Sequence, residues 1–457
     1  MIIVNLPRLR LNICKIFFCA FLSALGASVT IVTFAPGVIT SDTVDIINQI
    51  AAGKWNDWHS PFFTYILSLT RPISFGPYGM LIANCALLWA ACGILVCASM
   101  KRYGWRALLF FLIPIVPSAL FIPAFAWDVT FHSMTWFLAL SLGFIYVKRV
   151  SFKPNTIQIL MLALIFIGTM VRKNGWFAAL PLFFLALSPM GGGKGRMGLA
   201  AFFFILVPIM WGVAALLFKA TPSHPENSIK TYDIGSISAF TDQNLFPGVW
   251  TKSQSRDIVE NCYENDVKKR ILDNGWDVYA WGRCGFVLRN LSEQKLFKSN
   301  VLTAAWLSAV FGHPVAYLRA RLEFFGTFMV AHKSIPVLMY SESNAKFGWD
   351  FRNKKMIKAA YDFASLFVGG ALFRPITWLI LNFVAFVLAF KVRDSMARCF
   401  VCCVSLSGVV WLLTYFNFGV AYDFRYAFWA IYAALLSIVV VANELAAQLR
   451  AARFGFR

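Results

Sequence analysis

Residues 78–99 read YGMLIANCALLWAACGILVCAS and contain no charged side chain. A helix of this length can cross the hydrocarbon core of a bilayer, because it rises about 1.5 Å per residue and the core is about 30 Å thick. Outward from this stretch, apolar runs alternate with short basic connectors. The composition agrees, since 59% of the residues are hydrophobic, 14% are charged and the mean hydropathy is +0.66. These values exclude an ordinary soluble domain and indicate an all-α polytopic membrane protein.

Ten apolar runs predict about 10 transmembrane helices, at 13–34, 78–99, 107–126, 129–147, 156–171, 176–188, 199–218, 371–390, 399–416 and 427–443. The first run follows a basic flank, as in a signal peptide. It is too long for one and lacks a clean cleavage site, so we interpret it as an uncleaved span. The runs 156–171 and 176–188 are short, and they are also compatible with one broken helix.

The basic residues of the short connectors predict the orientation. With a cytoplasmic N-terminus, 17 of them face inward and 5 face outward, which satisfies the positive-inside rule with both termini cytoplasmic. The inner set is Arg8, Arg10, Lys15, Lys101, Arg102, Arg106, Lys148, Arg149, Lys153, Lys194, Arg196, Lys391, Arg393, Arg398, Arg450, Arg453 and Arg457. The outer set is Lys54, Arg71, Arg172, Lys173 and Arg425. Only Asp394 and Glu444 among the acidic residues then lie inside, so titratable chemistry gathers on the outer face.

Three regions follow from these spans. Residues 1–218 form an N-terminal transmembrane module whose first outer loop is 35–77, and residues 371–457 form a C-terminal transmembrane module. Between them, residues 219–370 have a mixed composition and predict an extracytoplasmic domain. Within that domain, residues 301–332 interrupt apolar turns with charged residues, which is the pattern of interfacial helices.

Cysteine and histidine spacing predicts no obligatory cofactor. Eight of the ten cysteines lie in or beside apolar spans, where cysteine packs as a small hydrophobe. Cys262 and Cys284 lie in the outer region, and an oxidising compartment would permit a disulfide that the sequence leaves open. The chain has no CxxC zinc pattern, and its histidines lack metal-ligand spacing to carboxylates.

The start of the first outer loop carries more acidic residues than a connector requires. Residues 35–61 read APGVITSDTVDIINQIAAGKWNDWHSP and include Asp42, Asp45, Asp57 and His59. An acid at the membrane interface can act as a general base toward a hydroxyl.

A structural interpretation of the same loop stays open beside the catalytic one. In it, Ser41 or Asp42 caps a helix that runs from about Thr43 to Ala52 and stops at Gly53. The two interpretations differ in what the Asp42 carboxylate does, because a capping carboxylate is occupied by backbone N–H groups.

The order PG, SDT, Gln49, Gly53 and DWHSP resembles the first outer loop of bacterial integral-membrane glycosyltransferases of the C superfamily, which use lipid-linked sugars. The resemblance aligns Asp42 with the acidic residue near the start of that loop. It aligns Asp57, Trp58 and His59 with a short signature, although Ser60 stands where the family usually has a proline. Asp45 falls on a variable position, so Asp42 is the preferred base.

Further segments resemble the same family in the same order, so that the resemblance covers nearly the whole chain. They are AWDVTF around Asp128, VRKNG around Arg172, YDIGSIS around Asp233, HPVAYLRAR around His313 and YDFRYAFW around Arg425. The resemblance implies a polyprenyl-phosphate sugar donor, an envelope glycan or lipid acceptor, and an active site on the periplasmic face of a bacterial inner membrane. Catalytic roles are then expected for Asp42 and Asp128. Because some members of the superfamily use a divalent ion, the resemblance also allows a weak divalent-ion site at these two residues. Substrate-binding roles are expected for Asp57, His59, Arg172, Asn174 and Arg425.

Charge chemistry supports the same residues without the family. Cleaving a sugar–phosphate bond leaves a phosphate whose negative charge grows in the transition state, and preorganised cations stabilise it. Candidate cations at the outer headgroup level are Arg172, Lys173, Arg374 and Arg425. For Lys173 and Arg374, headgroup contact is the simpler interpretation. Asp423 can pair with Arg425, and Asp128 can position a hydroxyl or cap the helix that follows it.

The leading hypothesis is a glycosyltransferase in which Asp42 deprotonates an acceptor hydroxyl and the sugar is transferred with inversion. A transporter or flippase is the alternative, and it predicts mid-membrane charges or broken helices in two related halves. A non-catalytic envelope scaffold is a third class. The acids lie in outer loops and no related halves are visible, which favours an enzyme. No Walker or dinucleotide motif is present, so we do not expect a nucleotide-sugar donor. The distribution of the basic residues among the connectors between spans explains the net charge of +21, so we do not expect nucleic acid as a partner.

Overall fold

A computed structural model describes residues 6–74, 76–147, 154–188, 193–331, 344–345 and 347–453. Every regular element in these ranges is a helix. The β-type backbone pairing in these ranges is limited to two isolated β-bridges. The prediction of an all-α protein is confirmed for this part of the chain. Lys148, Arg149, Lys153, His332 and Arg457 from the sequence-based assignments lie outside the described residues.

The α-helices of the described ranges are numbered in chain order. They are α1 (Leu6–Phe34), α2 (Ser41–Ala52), α3 (Pro61–Leu69), α4 (Pro77–Tyr103), α5 (Asp128–Val147), α6 (Pro154–Val171), α7 (Gly175–Ala186), α8 (Gly193–Leu217), α9 (Asn227–Thr241), α10 (Lys252–Glu260), α11 (Val267–Asp273), α12 (Asp277–Ala280), α13 (Phe286–Glu293), α14 (Asn300–Gly312), α15 (Pro314–Val330), α16 (Lys354–Ser365), α17 (Pro375–Ala389), α18 (Ser395–Phe418) and α19 (Phe428–Arg453). 3-10 helices cover Gly104–Ile115, Ile122–Ala124, Ala371–Phe373 and Phe424–Ala427.

Five helical stretches of the described chain are long and apolar enough to cross a membrane. They are Cys14–Phe34, Pro77–Ile115, Lys194–Leu217, Ser395–Phe418 and Phe424–Arg453. A sixth results if α14 and α15, which meet at an angle of 100°, count as one broken span. Three further apolar helices are shorter than the usual span. The class of polytopic helical membrane protein fits this architecture, whereas the count of ten spans is not confirmed.

The run 107–126 is not an α-helix. After α4, Gly104 has a φ of +62°, and the chain turns into the 3-10 helix Gly104–Ile115, which packs on α4. Prolines at 114, 117 and 123 account for the difference, because proline has no N–H to donate and its ring clashes with the preceding turn. Apolar composition therefore indicated burial correctly but not the type of backbone.

This irregular segment still returns along α4 to the end from which that helix starts. The Ala124 carbonyl accepts a hydrogen bond from the Val38 N–H at 2.8 Å. Val38 follows Gly37, whose α-carbon lies against Pro77 at the start of α4. The segment thus ends beside the first loop, although it is not helical throughout.

A polar cluster joins three long helices at their other ends. Arg102 of α4 contacts the Glu444 carboxylate of α19 at 2.5 Å and lies 3.7 Å from Asp394, which caps α18. The Tyr103 hydroxyl donates to the buried Glu444 at 2.7 Å. These are the two acidic residues that the charge distribution places on the inner side. Since α4 has 27 residues and is about 40 Å long, the cluster is separated from the first loop by more than the hydrocarbon thickness.

Helices α6 and α7 are two elements rather than one broken helix. The Gln158 side-chain amide, near the start of α6, donates to the Ala186 carbonyl at the end of α7 at 3.3 Å. Such a contact requires an antiparallel hairpin. Its tip is the polar turn Arg172–Asn174, so the hairpin presents this turn at the same end as the start of α5.

The region after α8 is built from the short helices α9–α15. At its centre, Arg321 of α15 and Asp233 of α9 are completely buried and pair at 2.7 Å, and the Trp306 indole donates to Asp233 at 2.8 Å. The Arg321 guanidinium also donates to the Gly419 carbonyl at the end of α18 at 2.8 Å. This network attaches the region to the transmembrane helices.

Cys262 and Cys284 form a disulfide, with their Cα atoms 5.7 Å apart, and thereby settle a pairing that the sequence left open. The bond links the turn after α10 to the turn before α13. The division into three regions at 218 and 370 stays a prediction.

Candidate active site

A cavity of about 610 Å³ lies where the first loop, the tip of the α6–α7 hairpin and the chain before α19 meet. Seven separate stretches line it, at 40–46, 58–60, 127–128, 171–174, 225–229, 274–281 and 415–426. Six of the seven predicted site residues are among them, namely Asp42, His59, Asp128, Arg172, Asn174 and Arg425. Asp57 does not line the cavity. Its carboxylate accepts a hydrogen bond from the Ser223 N–H at 2.5 Å and so joins the first loop to the segment after α8.

Asp42 faces the cavity because a different residue caps α2. The Thr40 hydroxyl accepts the hydrogen bond of the Thr43 N–H at 3.4 Å, and the Trp127 indole donates to the same oxygen at 2.7 Å. The expectation that Ser41 or Asp42 caps this helix was therefore wrong. Asp42 lies in the first turn, where the positive end of the helix dipole favours a carboxylate, and its oxygens stay available for other partners.

The end of α2 is as predicted. Gly53 follows the helix with a φ of +64°, and its N–H is bonded to carbonyls of the last turn. A residue without a Cβ adopts this left-handed conformation without steric cost, which explains why the helix stops there.

Asp42 is held as an anion by the cations around it. One oxygen of its carboxylate accepts a hydrogen bond from the Arg425 guanidinium at 2.6 Å. Burial raises the pKa of Asp42, but the charges of Arg425, His59 and Arg172 outweigh burial and lower it to about 2. The side chain keeps 33% of its surface exposed, so the anion remains accessible from the cavity.

Asp128 and Arg172 form a second ion pair in the same cavity. The Arg172 guanidinium donates to one Asp128 oxygen at 2.7 Å, and the other oxygen accepts the Val129 N–H at 2.7 Å. Asp128 thus holds the start of α5 and the tip of the α6–α7 hairpin together. Asp128 lines the cavity and bonds the Val129 N–H in the first turn of α5, and its roles as a helix cap or in positioning a substrate hydroxyl stay predictions.

Aromatic rings and a third carboxylate fix the orientation of Arg425. Its guanidinium carbon lies 4.9 Å from the centre of the Trp127 ring and 5.4 Å from that of Tyr426. Asp423 contacts the guanidinium at 3.1 Å, as the sequence allowed. Arg172 lies 5.5 Å from the Tyr426 ring on the same side of the cavity. A guanidinium held by both carboxylates and rings is preorganised for an anionic ligand.

The two remaining candidate cations differ in position. Lys173 lines the cavity, is exposed, and makes no ion pair with any side chain of the described ranges. Arg374 does not line the cavity, and its guanidinium donates to the Gly369 carbonyl at 3.4 Å. The structure therefore adds Lys173 to the site, although the sequence favoured headgroup contact for it.

Sequence reasoning missed a segment on the far wall of the cavity. Residues 274–281 read NGWDVYAW and contribute Asn274, Trp276, Asp277 and Trp281 to the lining. The density of tryptophan and polar residues was a signal, but nothing local shows that this segment faces Asp42.

Backbone contacts hold this segment against the chain before Arg425. The Trp276 N–H donates to the Val420 carbonyl at 2.7 Å, and the Asn274 side chain accepts the Tyr422 N–H at 3.0 Å. Gly275 is required between them, since its φ is +67° and a Cβ would lie 2.3 Å from the Val420 oxygen. Residues 274–281 and the chain between α18 and α19 thus form one wall of the site.

The charged and titratable groups of the cavity include carboxylates, two guanidinium groups, the Lys173 ammonium and the His59 imidazole. No three His, Cys, Asp or Glu side chains gather as a metal site within the ranges described above, and the expectation about metals stays a prediction. The chain matches no protein-family model, no curated protein and no solved structure. The functional interpretation rests on the residues of the cavity.

Proposed function

We propose that this chain is a membrane glycosyltransferase that moves a sugar from a polyprenyl-phosphate donor to a cell-envelope glycan or lipid acceptor. The observation that carries the proposal is the meeting of Asp42, Asp128, Arg172 and Arg425 in one cavity, from four segments far apart in sequence. The resemblance to one family points to the same four residues.

The proposed reaction is a single displacement with inversion. The Asp42 carboxylate accepts the proton of an acceptor hydroxyl, and the hydroxyl oxygen attacks the anomeric carbon. The bond between that carbon and the phosphate oxygen breaks, and its electron pair leaves with the polyprenyl phosphate. Arg172, Arg425 and Lys173 stabilise the growing phosphate charge, since they are in place before the reaction begins.

The low pKa of Asp42 places a condition on this mechanism. A carboxylate with a pKa of about 2 is always ionised but is a weak base, whereas an efficient general base has a pKa near the working pH. A donor phosphate bound at Arg425 and Arg172 adds negative charge and competes for the guanidinium groups. Both effects raise the pKa of Asp42. Donor binding therefore activates the base in the proposed mechanism.

The proposal includes a location on the bacterial inner membrane, with about ten crossings, both termini cytoplasmic and the cavity periplasmic. The disulfide between Cys262 and Cys284 supports this orientation, because disulfides persist in oxidising compartments. In this arrangement the donor's polyprenyl chain stays in the bilayer while its phosphate reaches the cavity.

A reconstituted assay tests the proposed function. Proteoliposomes containing the chain receive labelled polyprenyl-phosphate sugars and extracted envelope glycolipids, and label is followed into the acceptor fraction. We expect Asp42→Asn to abolish transfer while the protein inserts normally. Asp45→Asn is the matched control, because Asp45 is exposed on the same helix and bonds only Gln49 at 2.7 Å. Transfer retained by Asp42→Asn contradicts the mechanism, and movement of label across the bilayer without transfer indicates a flippase.

A further inference from the structure

A second cavity, of about 430 Å³, adjoins the first. Trp281 lines both cavities, so they adjoin at this residue. The second cavity is lined by the turn after α12 and the start of α13, including Gly282, Arg283, Phe286 and Arg289. Nothing in the proposed sugar transfer uses this space.

The Trp281 ring is exposed although its backbone is firmly held. Its side chain is 72% exposed, and its N–H donates to the Asp277 carbonyl at 2.8 Å. The neighbouring Cys284 N–H donates to the Val278 carbonyl at 3.0 Å, and the disulfide of Cys284 fixes the same turn. An exposed indole on a firmly held turn beside a cavity is typical of a ligand platform, since its flat face offers a large contact area and its side chain has only two rotatable bonds.

Two arginines, Arg283 and Arg289, line the second cavity. Arg283 is fixed by the carboxylates of Asp273 and Glu264, at 2.9 and 3.6 Å, and it donates to the Asn261 carbonyl at 2.7 Å. Arg289 is exposed and makes no ion pair within the described ranges. No carboxylate lines this cavity, whereas Glu226 and Asp277 line the neighbouring part of the first.

We infer that the second cavity binds an acidic saccharide, as the part of the acceptor that lies beyond the reacting hydroxyl. A pyranose ring stacks its C–H face on the Trp281 indole, whose face carries partial negative charge. A carboxylate on that ring or the next pairs with Arg289, which can hold it through two parallel hydrogen bonds. The inference rests on the proposed function, since it assigns this saccharide to the acceptor that reaches Asp42 in the adjoining cavity.

A binding measurement tests the inference separately from transfer. The full chain in nanodiscs of zwitterionic lipid is titrated calorimetrically with an oligogalacturonate, and with the same oligosaccharide after methyl esterification of its carboxylates. We expect the acidic form to bind at least about tenfold more tightly, because a charge-assisted hydrogen bond is lost on esterification.

Two variants with matched controls locate the site. Trp281→Ala and Arg289→Gln are each expected to weaken binding of the acidic form about tenfold. Trp105→Ala is the aromatic control, because that ring is 76% exposed and lies next to the polar cluster at the far helix ends. Arg256→Gln, at an exposed ion pair on α10, is the charge control. Equal binding of the two oligosaccharides, or unchanged binding by both Trp281→Ala and Arg289→Gln, overturns the inference.

The outcomes distinguish this inference from the proposed function. Asp42→Asn is expected to bind the oligogalacturonate as the wild type does. Selective binding by a chain that transfers no sugar contradicts the proposed function alone. Sugar transfer by a chain that shows no preference for the acidic saccharide contradicts the inference alone.

Discussion

Replacing Arg321 by methionine should destabilise the protein more than any exposed ion-pair substitution. Both Arg321 and Asp233 are completely buried and are 2.7 Å apart. Arg321→Met leaves the Asp233 carboxylate buried with only the Trp306 hydrogen bond, and it frees the Gly419 carbonyl. Removing one partner of a buried pair costs about 3–5 kcal/mol, because an uncompensated charge remains in a medium of low polarity.

The double variant Arg321→Met, Asp233→Leu distinguishes the cost of an unpaired buried charge from the cost of altered packing. Replacing both partners of a buried pair by apolar residues is often neutral, so we expect most of the lost stability to return. The control is Lys358→Met, which removes an equally short ion pair, 2.6 Å from Asp362, in which the two side chains are 73% and 56% exposed. That exposed pair should contribute about 0–1 kcal/mol.

The assay is equilibrium unfolding of the purified protein in detergent, followed by the fluorescence of its tryptophans over a denaturant series. A loss below about 1 kcal/mol for Arg321→Met would refute the reasoning. The reasoning also fails if the double variant is no more stable than the single one. Because Arg321 holds the chain before Arg425, the single variant should lower kcat in the transfer assay as well.

Three further predictions concern the cavity and its wall. Since the folded pKa of Asp42, about 2, lies below its usual 3.8, its ion pair stabilises the fold above about pH 4. This contribution, about 1–2 kcal/mol after allowance for a side chain that is 33% exposed, is lost as the pH falls toward 2. Arg425→Gln should raise the pKa of Asp42 and reduce that acid-dependent loss, as measured by unfolding at each pH. Gly275→Ala should reduce transfer severely, because its Cβ would meet a backbone carbonyl at 2.3 Å; normal kcat would contradict this. Cys262→Ser with Cys284→Ser should destabilise the outer region by about 2–4 kcal/mol, seen as faster limited proteolysis than in the wild type.

Asp42 and Arg425 show how far the candidate site could be predicted from the sequence. Asp42, Asp128, Arg172 and Arg425 were each identified from short motifs and from their place outside apolar runs. That Arg425 binds Asp42 was not predictable, because 383 residues separate them and no local pattern relates the two. Trp281 was missed for the same reason, since its neighbours in the cavity come from other parts of the chain.

The cap of α2 is a smaller case of the same limit. Thr40, Ser41 and Asp42 are all common capping residues, so local propensity does not choose among them. The Trp127 indole, which donates to the Thr40 hydroxyl, contributes to the choice and leaves Asp42 free to face the cavity. A contact 87 residues away along the chain thus separates a capping carboxylate from a candidate base.

The sequence by itself predicted a membrane environment, an all-helical fold and an orientation with both termini cytoplasmic. Apolar runs and basic connectors carry this information because each interacts with the bilayer independently of the rest of the chain. Only the tertiary structure decided that the run 107–126 follows α4 back as a 3-10 and irregular segment. It also decided which cations meet which carboxylates and where the second cavity lies. Pairings of this kind depend on the close approach of helices remote in sequence, where burial and Coulomb attraction act over a few ångströms.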